Sequence, residues 1–128
     1  MKVLTLKQPW ASLVANGYKV YEFRSWKTNY RGELLIHAGC GVDKKELELV
    51  KNLGLKFPKK KILCKVILED CILIDDKFNQ MINKENELVY GRKERTGYAW
   101  KLKVISSVDI DKEVNGKLGL WNYDVDNY

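Results

Sequence analysis

The apolar residues in the first third of the chain predict two strands on either side of a short helix. A first strand is predicted at Val3 to Leu6 and a second around Lys19 to Phe23. A helix of about two turns is predicted between them, from Pro9 to Asn16, because proline is tolerated in a first helical turn. Gly17 is suited to end that helix. The apolar run at 33–38 predicts a third strand.

The middle of the chain combines a capped helix with a long apolar stretch. Asp43 is a favourable N-cap, with Glu46 three residues later, so a helix is predicted to begin at Lys44 and to end at Gly54. The following segment, 55–75, passes from a lysine run into a stretch rich in β-branched residues. Such a stretch is typical of a central strand.

The last third of the chain predicts one more helix and two strands. Apolar residues at helical spacing predict a helix between Asp76 and Asn86, and alternation predicts a strand at 98–104. The segment 116–123, in which two glycines bracket a leucine, is predicted to close the sheet as a short strand. Strands and helices do not alternate regularly, which argues against a doubly wound sheet. The pattern therefore predicts an α+β fold, a small, mostly antiparallel β-barrel with inserted helices.

Composition predicts one domain that folds alone. The chain has 128 residues, 45% of them hydrophobic, with four tryptophans and seven tyrosines. Such a chain can bury enough apolar surface to offset its ordering entropy, so we expect a single domain over residues 1–128. It has no apolar run of about 18 residues, and its start lacks the pattern of a signal peptide. We expect a cytoplasmic protein that does not bind membranes.

The charge balance favours a polyanionic partner. Lysine and arginine outnumber aspartate and glutamate by 23 to 17, for a net charge of +6. A basic surface attracts nucleic acid, because bound phosphates release counterions. Cys40, Cys64 and Cys71 lack the paired spacing and histidine partners of a zinc site, and they predict reduced thiols, with Cys64 in a core strand. No metal or cofactor is predicted.

The segment GYKVYEFR, residues 17–24, carries the candidate chemistry. In an extended chain the side chains alternate, so Glu22 and Arg24 share one face with Val20, whereas Tyr21 and Phe23 take the other. Opposite charges beside an apolar residue suggest a lined cleft.

Four segments together resemble the ASCH domain family. They are LTLKQPWASLVANGYKVYEFRSWKTNYRGELLIHAG, CKVILEDC, GYAWKL and GKLGLWNY. The family's Gly-x-Lys-x-x-Glu-x-Arg pattern is complete here as Gly17, Lys19, Glu22 and Arg24. The resemblance implies a barrel similar to the PUA fold, with this motif in a cleft beside a helix, and it implies RNA binding. Glu22 and Arg24 would then face a nucleotide-sized cleft, with Lys19 at its rim.

Other residues near the motif are candidates for contacts with nucleic acid. Trp10, Trp26 and Tyr30 could stack on unpaired bases, although aromatic residues are more often part of a core. Trp26, in the polar loop 24–32, is the best stacking candidate. The predicted nucleic-acid-binding residues are Lys7, Trp10, Gly17, Lys19, Glu22, Arg24, Trp26, Lys27 and Arg31. Three residues in apolar surroundings are instead predicted to belong to the core, and they are His37, Trp100 and Trp121.

Three functions remain open from the sequence. The first is a module that binds single-stranded or modified RNA, with DNA as a less favoured partner. The second is a metal-independent enzyme, with Lys19, Glu22 and Tyr30 as catalytic residues. The third is a protein-interaction domain, as in family members within transcription coactivators.

Two reactions are open for the enzyme interpretation. In a ribonuclease, Lys19 would stabilise phosphorane charge while Glu22, Tyr21 or Tyr30 moved a proton. Relatives that hydrolyse N4-acetylcytidine are thought to use a lysine, a threonine and a glutamate. The position of that threonine is Glu22 here, and Glu69 is offset from the downstream glutamate.

Overall fold

A mixed sheet with helices at its faces forms the fold. The structure, a computed structural model, describes residues 1–90 and 94–124, and for residue 87 it describes the backbone alone. The strands are β1 (Lys2–Gln8), β2 (Tyr21–Arg24), β3 (Gly32–Val42), β4 (Lys61–Leu73), β5 (Tyr98–Ser107) and β6 (Leu120–Asn122). The helices are α1 (Trp10–Ala15), α2 (Lys44–Val50), α3 (Asp76–Glu85) and α4 (Glu87–Tyr90).

The strands pair in the order β2-β5-β4-β3-β1-β6. Only β1 and β3 are parallel, and the other neighbours are antiparallel. The α+β class, the mostly antiparallel sheet and the inserted helices are thereby confirmed. Within the described ranges no pairing joins β2 to β6, so closure of the sheet into a barrel stays a prediction.

Both faces of the sheet are covered. Neighbouring residues on a strand point to opposite faces, and on β5 two such neighbours belong to different apolar clusters. Trp100 of β5 is fully buried in the cluster around α1, whereas Ala99 packs with Phe78 of α3 and Tyr90 of α4. Trp121 of β6 belongs to a third cluster at the other edge. The core positions predicted for both tryptophans are confirmed.

Most helix ends lie where the caps predict them. Gly17 follows α1 with a φ of 80°, in the left-handed region that favours glycine. After α2 the chain makes a 3₁₀ turn, Lys51–Leu53, and ends it at Gly54. The carboxylate of Asp43 accepts a hydrogen bond from the N–H of Glu46 at 3.1 Å. The N–H of Asp43 itself donates to the carbonyl of Gln8, so the Glu46 side chain is not needed in the cap.

Three elements differ clearly from the sequence-based expectation. Strand β3 continues to Val42, beyond the predicted end at 38. Strand β5 continues to Ser107, beyond the predicted end at 104, because it pairs with β4 as far as Cys64. Helix α4 was not predicted, since four residues are too short for a periodic signal. It nevertheless supplies two buried residues, Val89 and Tyr90.

His37 belongs to a buried hydrogen-bonded chain, as expected for a core histidine. Its Nε2 donates to the carbonyl of Val114, so Nδ1 is free to accept from the hydroxyl of Thr5 at 3.1 Å. That hydroxyl accepts in turn from Trp121 Nε1 at 3.0 Å. Burial lowers the pKa of His37, which keeps the ring neutral. The chain of bonds ties β3, β1 and β6 together.

We expect Gly97→Ala to be far more destabilising than Gly54→Ala. Both glycines have positive φ, 96° and 74°, but a Cβ at Gly97 would lie 2.4 Å from the carbonyl oxygen of Arg24, whereas Gly54 has open space. The left-handed backbone alone costs about 1 kcal/mol, and the clash should raise the cost at Gly97 to about 3 kcal/mol or more. Urea unfolding of both variants measures the difference, and equal costs would contradict the close approach.

Candidate functional site

The motif strand is held from both sides before it enters the sheet. The N–H of Lys19 donates to the carbonyl of Leu13 in α1 at 3.1 Å. The phenol oxygen of Tyr90 accepts from the N–H groups of Val20 and Tyr21, at 2.8 and 3.1 Å. Helices α1 and α4 therefore fix the position at which β2 begins.

Lys19 lies inside a cage of aromatic rings. Its Nζ is 4.3 Å from the ring centre of Phe23, 4.8 Å from that of Tyr90 and 5.1 Å from that of Trp10. Only 3% of the residue is exposed, so the predicted position at the rim is wrong: the three rings cover the lysine. Burial lowers its pKa to about 8, although the Glu22 carboxylate favours the charged form.

Glu22 and Arg24 form the pair expected from their shared face. Arg24 Nη2 lies 3.7 Å from Glu22 Oε2 and donates to the carbonyl of Thr5 at 2.8 Å. Glu22 Oε1 accepts from the N–H of Phe23 at 3.0 Å. Tyr21 and Phe23 take the other face, where both rings contact the ring of Phe78 edge-on. The predicted alternation along β2 is confirmed.

Two cavities adjoin at the motif. The outer cavity, of about 390 Å³, is lined by residues that include Thr5, Lys7, Arg24 and the segment 39–41. The inner cavity, of about 210 Å³, is lined by Trp10, Lys19, Glu22, Phe23 and Arg95. Trp10, Glu22 and Phe23 line both cavities, so the two lie side by side, and we call them together the cleft.

Sequence reasoning missed one side chain that lines the cleft, Arg95, and two buried side chains near Lys19, Tyr90 and Glu46. Tyr90 and Arg95 come from the segment between α3 and β5, and the Arg95 guanidinium lies 4.9 Å from the ring centre of Phe23. Glu46 on α2 is 7% exposed, and its Oε2 has no hydrogen-bond partner among the described residues. Burial first, and then Asp43, raise the pKa of Glu46 to about 7, against the opposing charges of Lys19 and Arg95. In the sequence, the only signal for Glu46 was its position three residues after the N-cap residue Asp43.

Beyond Arg24 the loop turns away from the cleft, and its candidate residues Trp26, Lys27, Tyr30 and Arg31 line neither cavity. Trp26 contacts Trp100 edge-on, with ring centres 4.7 Å apart, and remains 37% exposed. Tyr30 donates its hydroxyl to the carbonyl of Glu33, and Arg31 donates to the carbonyls of Thr28 and Tyr30. The structure thus brings together five of the predicted binding residues and leaves four outside the cleft. Those inside are Lys7, Trp10, Lys19, Glu22 and Arg24, and those outside are Gly17, Trp26, Lys27 and Arg31.

The ASCH domain family matches residues 4–111. The chain belongs to the ASCH domain family. This PUA-like family is generally associated with RNA binding, and the matched range includes the whole cleft. No curated protein matches the chain.

Two further properties of the ASCH domain concern the described residues only. None of the helices in 1–90 and 94–124 has both the length and the apolar character needed to cross a membrane. The same residues contain no group of three histidine, cysteine, aspartate or glutamate side chains arranged to hold a metal ion.

We expect Lys19→Met to stabilise the ASCH domain at pH 7, by roughly 1–3 kcal/mol, because it removes a buried charge and keeps an apolar stem against the rings. The difference should shrink with rising pH. Between pH 8 and pH 10.5, which are about the pKa values of Lys19 in the folded and the unfolded chain, Lys19 keeps its proton in the unfolded chain and releases it in the folded chain. The stability of the wild type therefore rises over this pH range. Urea unfolding of both proteins at pH 7, 9 and 10.5 measures this, and a pH-independent difference would contradict it.

Proposed function

We propose that this ASCH domain binds single-stranded RNA and takes one nucleotide, modified or unmodified, into the cleft. The observation that carries the proposal is that the two cavities lie side by side and share Trp10, Glu22 and Phe23. Their volumes, about 390 and 210 Å³, together fall within the range of small-molecule sites. A nucleotide needs both an apolar surface for its base and cations for its phosphate, and the cleft offers both.

The charge of the cleft favours an anion. Among the described residues that line it, Lys7, Lys19, Arg24 and Arg95 are cationic and only Glu22 is anionic. Lys7 is exposed beside the outer cavity, where a phosphate can approach with its hydration partly intact. Arg24 is already paired with Glu22 and Thr5, so its guanidinium is preorganised.

The inner cavity suits a base rather than a phosphate. Trp10 and Phe23 provide ring surface, and the Glu22 carboxylate can accept a hydrogen bond from an amino or imino group of a base. The Lys19 ammonium is enclosed by three rings, so it can donate only to a group that enters between them. Reading a base in this way requires that it be unstacked, which single-stranded RNA permits at low cost.

The binding proposal predicts that Lys19→Met and Glu22→Gln weaken RNA binding about tenfold or more, since each removes a charged hydrogen-bonding group from a buried position. Fluorescence anisotropy with a labelled RNA decamer measures the affinity. Lys27→Ala is the matched control, because Lys27 is exposed and does not line the cleft. Equal losses for Lys27→Ala and Lys19→Met, or no saturable binding by the wild type, would refute the proposal.

A second candidate function is hydrolysis of RNA or of a modified nucleoside. It is favoured by two buried groups that titrate near neutral pH, since the pKa of Lys19 is lowered to about 8 and that of Glu46 is raised to about 7. Glu22, beside Lys19, would be the group that moves a proton, because the Tyr30 hydroxyl is bonded to Glu33 outside the cleft.

If the protein is a hydrolase, we expect the wild type to cut RNA or to deacylate an acylated nucleoside, and we expect Glu22→Gln to do neither. RNA cleavage is measured as the length of the decamer after overnight incubation, with and without a chelator. Deacylation is measured by chromatography of N4-acetylcytidine after the same treatment. Intact RNA and intact nucleoside, together with saturable binding, would exclude the hydrolase and leave the binding module.

A further inference from the structure

A third cavity continues the cleft toward the C-terminal segment. It has a volume of about 390 Å³ and is lined by residues from two parts of the chain. Thr5, Gly39 and Cys40 also line the outer cavity, so the two recesses adjoin. The other side of the third cavity is the loop 115–118. Three recesses therefore lie in sequence, with Lys19 at one end and Lys117 at the other.

The loop 115–118 lies outside the range that matches the ASCH family, which ends at residue 111. It leads into β6, which pairs with the edge of β1. The loop is fixed in place at Gly116, where a Cβ would lie 2.8 Å from the Thr5 hydroxyl oxygen and 3.0 Å from His37 Cε1. Trp121 holds the following strand by its bond to Thr5. The third cavity is thus preformed rather than assembled on binding.

Strand β3 bulges at the residues where the outer and third cavities adjoin. The pairing with β1 passes from Leu6 opposite Ala38 to Gln8 opposite Val42, so residues 39–41 all lie opposite Lys7. A Cβ at Gly39 would lie 2.9 Å from Thr5 Cγ2, and one at Gly41 would lie 2.9 Å from Lys7 Cγ. The two glycines let the side chains of Thr5 and Lys7 lie close against the strand.

From these observations we infer that the loop 115–118 is an additional subsite, which holds a neighbouring nucleotide of the RNA strand whose base enters the cleft. The inference rests on the proposed function and extends it from one nucleotide to a strand. Lys117 supplies a cation for a phosphate, and its Nζ lies 5.9 Å from the ring centre of Trp121. Leu118, 98% exposed, and Asn115 complete a surface that is part apolar and part polar. A mononucleotide cannot occupy both ends of this path, so affinity depends on length.

The test compares a mononucleotide with RNA oligomers of two, five and ten residues, using the wild type, Lys117→Glu and Lys112→Glu. The two lysines are matched: both are exposed, both lie in the C-terminal segment, and Lys112 lies 6.0 Å from the ring centre of Tyr123. Of these two lysines, only Lys117 lines the third cavity.

We expect Lys117→Glu to weaken decamer binding roughly fivefold or more, to lower the salt slope of decamer binding by about 0.7, and to leave mononucleotide affinity unchanged. Lys112→Glu should change decamer affinity less than about twofold.

Cys40 provides an independent readout, because it is exposed between the outer and third cavities while Cys64 and Cys71 are buried. A maleimide should therefore label Cys40 first, and a bound decamer should slow that labelling, with Cys40→Ser as the control for selectivity. Equal effects of the two lysine variants, or affinity that does not increase beyond the mononucleotide, would overturn the subsite while leaving the cleft intact. Unprotected Cys40 would contradict both the subsite and the cleft, because Cys40 lines the outer cavity as well. Absence of binding by every ligand would instead overturn the proposed function itself.

Discussion

The buried ammonium of Lys19 is the constraint on which the site depends. A cation in that position is costly unless ring faces and a carboxylate surround it, and those partners come from separate elements. Trp10 comes from α1, Phe23 from β2 and Tyr90 from α4. Tyr90 also holds the backbone of the motif strand through its phenol oxygen. One residue thus couples the position of the cation to the position of the strand that carries it.

The sheet turns this local arrangement into a recess. Strand β2 is an edge strand and pairs only with β5 among the described residues, so its other edge has no neighbouring strand there. Arg24 closes the distance to β1 by donating to the carbonyl of Thr5, although β1 lies at the far side of the sheet order. This bond draws the two sides of the sheet together around the cleft. Such a contact is what a curved sheet allows and a flat sheet does not.

The sequence predicted most elements and the motif, but only part of the cleft. Caps and periodicity are local, so α1, α2 and the central strand β4 could be recognised from a few residues. Arg95 has no local pattern, and its place depends on how the chain returns to β5. Trp26 was predicted to be a stacking platform because its sequence neighbours are polar. Its carbonyl and ring instead contact Trp100, which its sequence neighbours do not indicate.

Glu46 shows how the cap of α2 and the charge of the cleft are connected. Because Gln8 takes the N–H of Asp43, the Glu46 carboxylate is released from the cap and remains buried near Lys19 and Arg95. Its pKa near 7 and the Lys19 pKa near 8 mean that the cleft loses positive charge as pH rises through this range. An anion stabilises the protonated forms of both groups, so anion binding and proton uptake must favour one another. Burial of Lys19 and Glu46 costs stability in the folded state, and the same burial makes the cleft sensitive to the charge of its ligand.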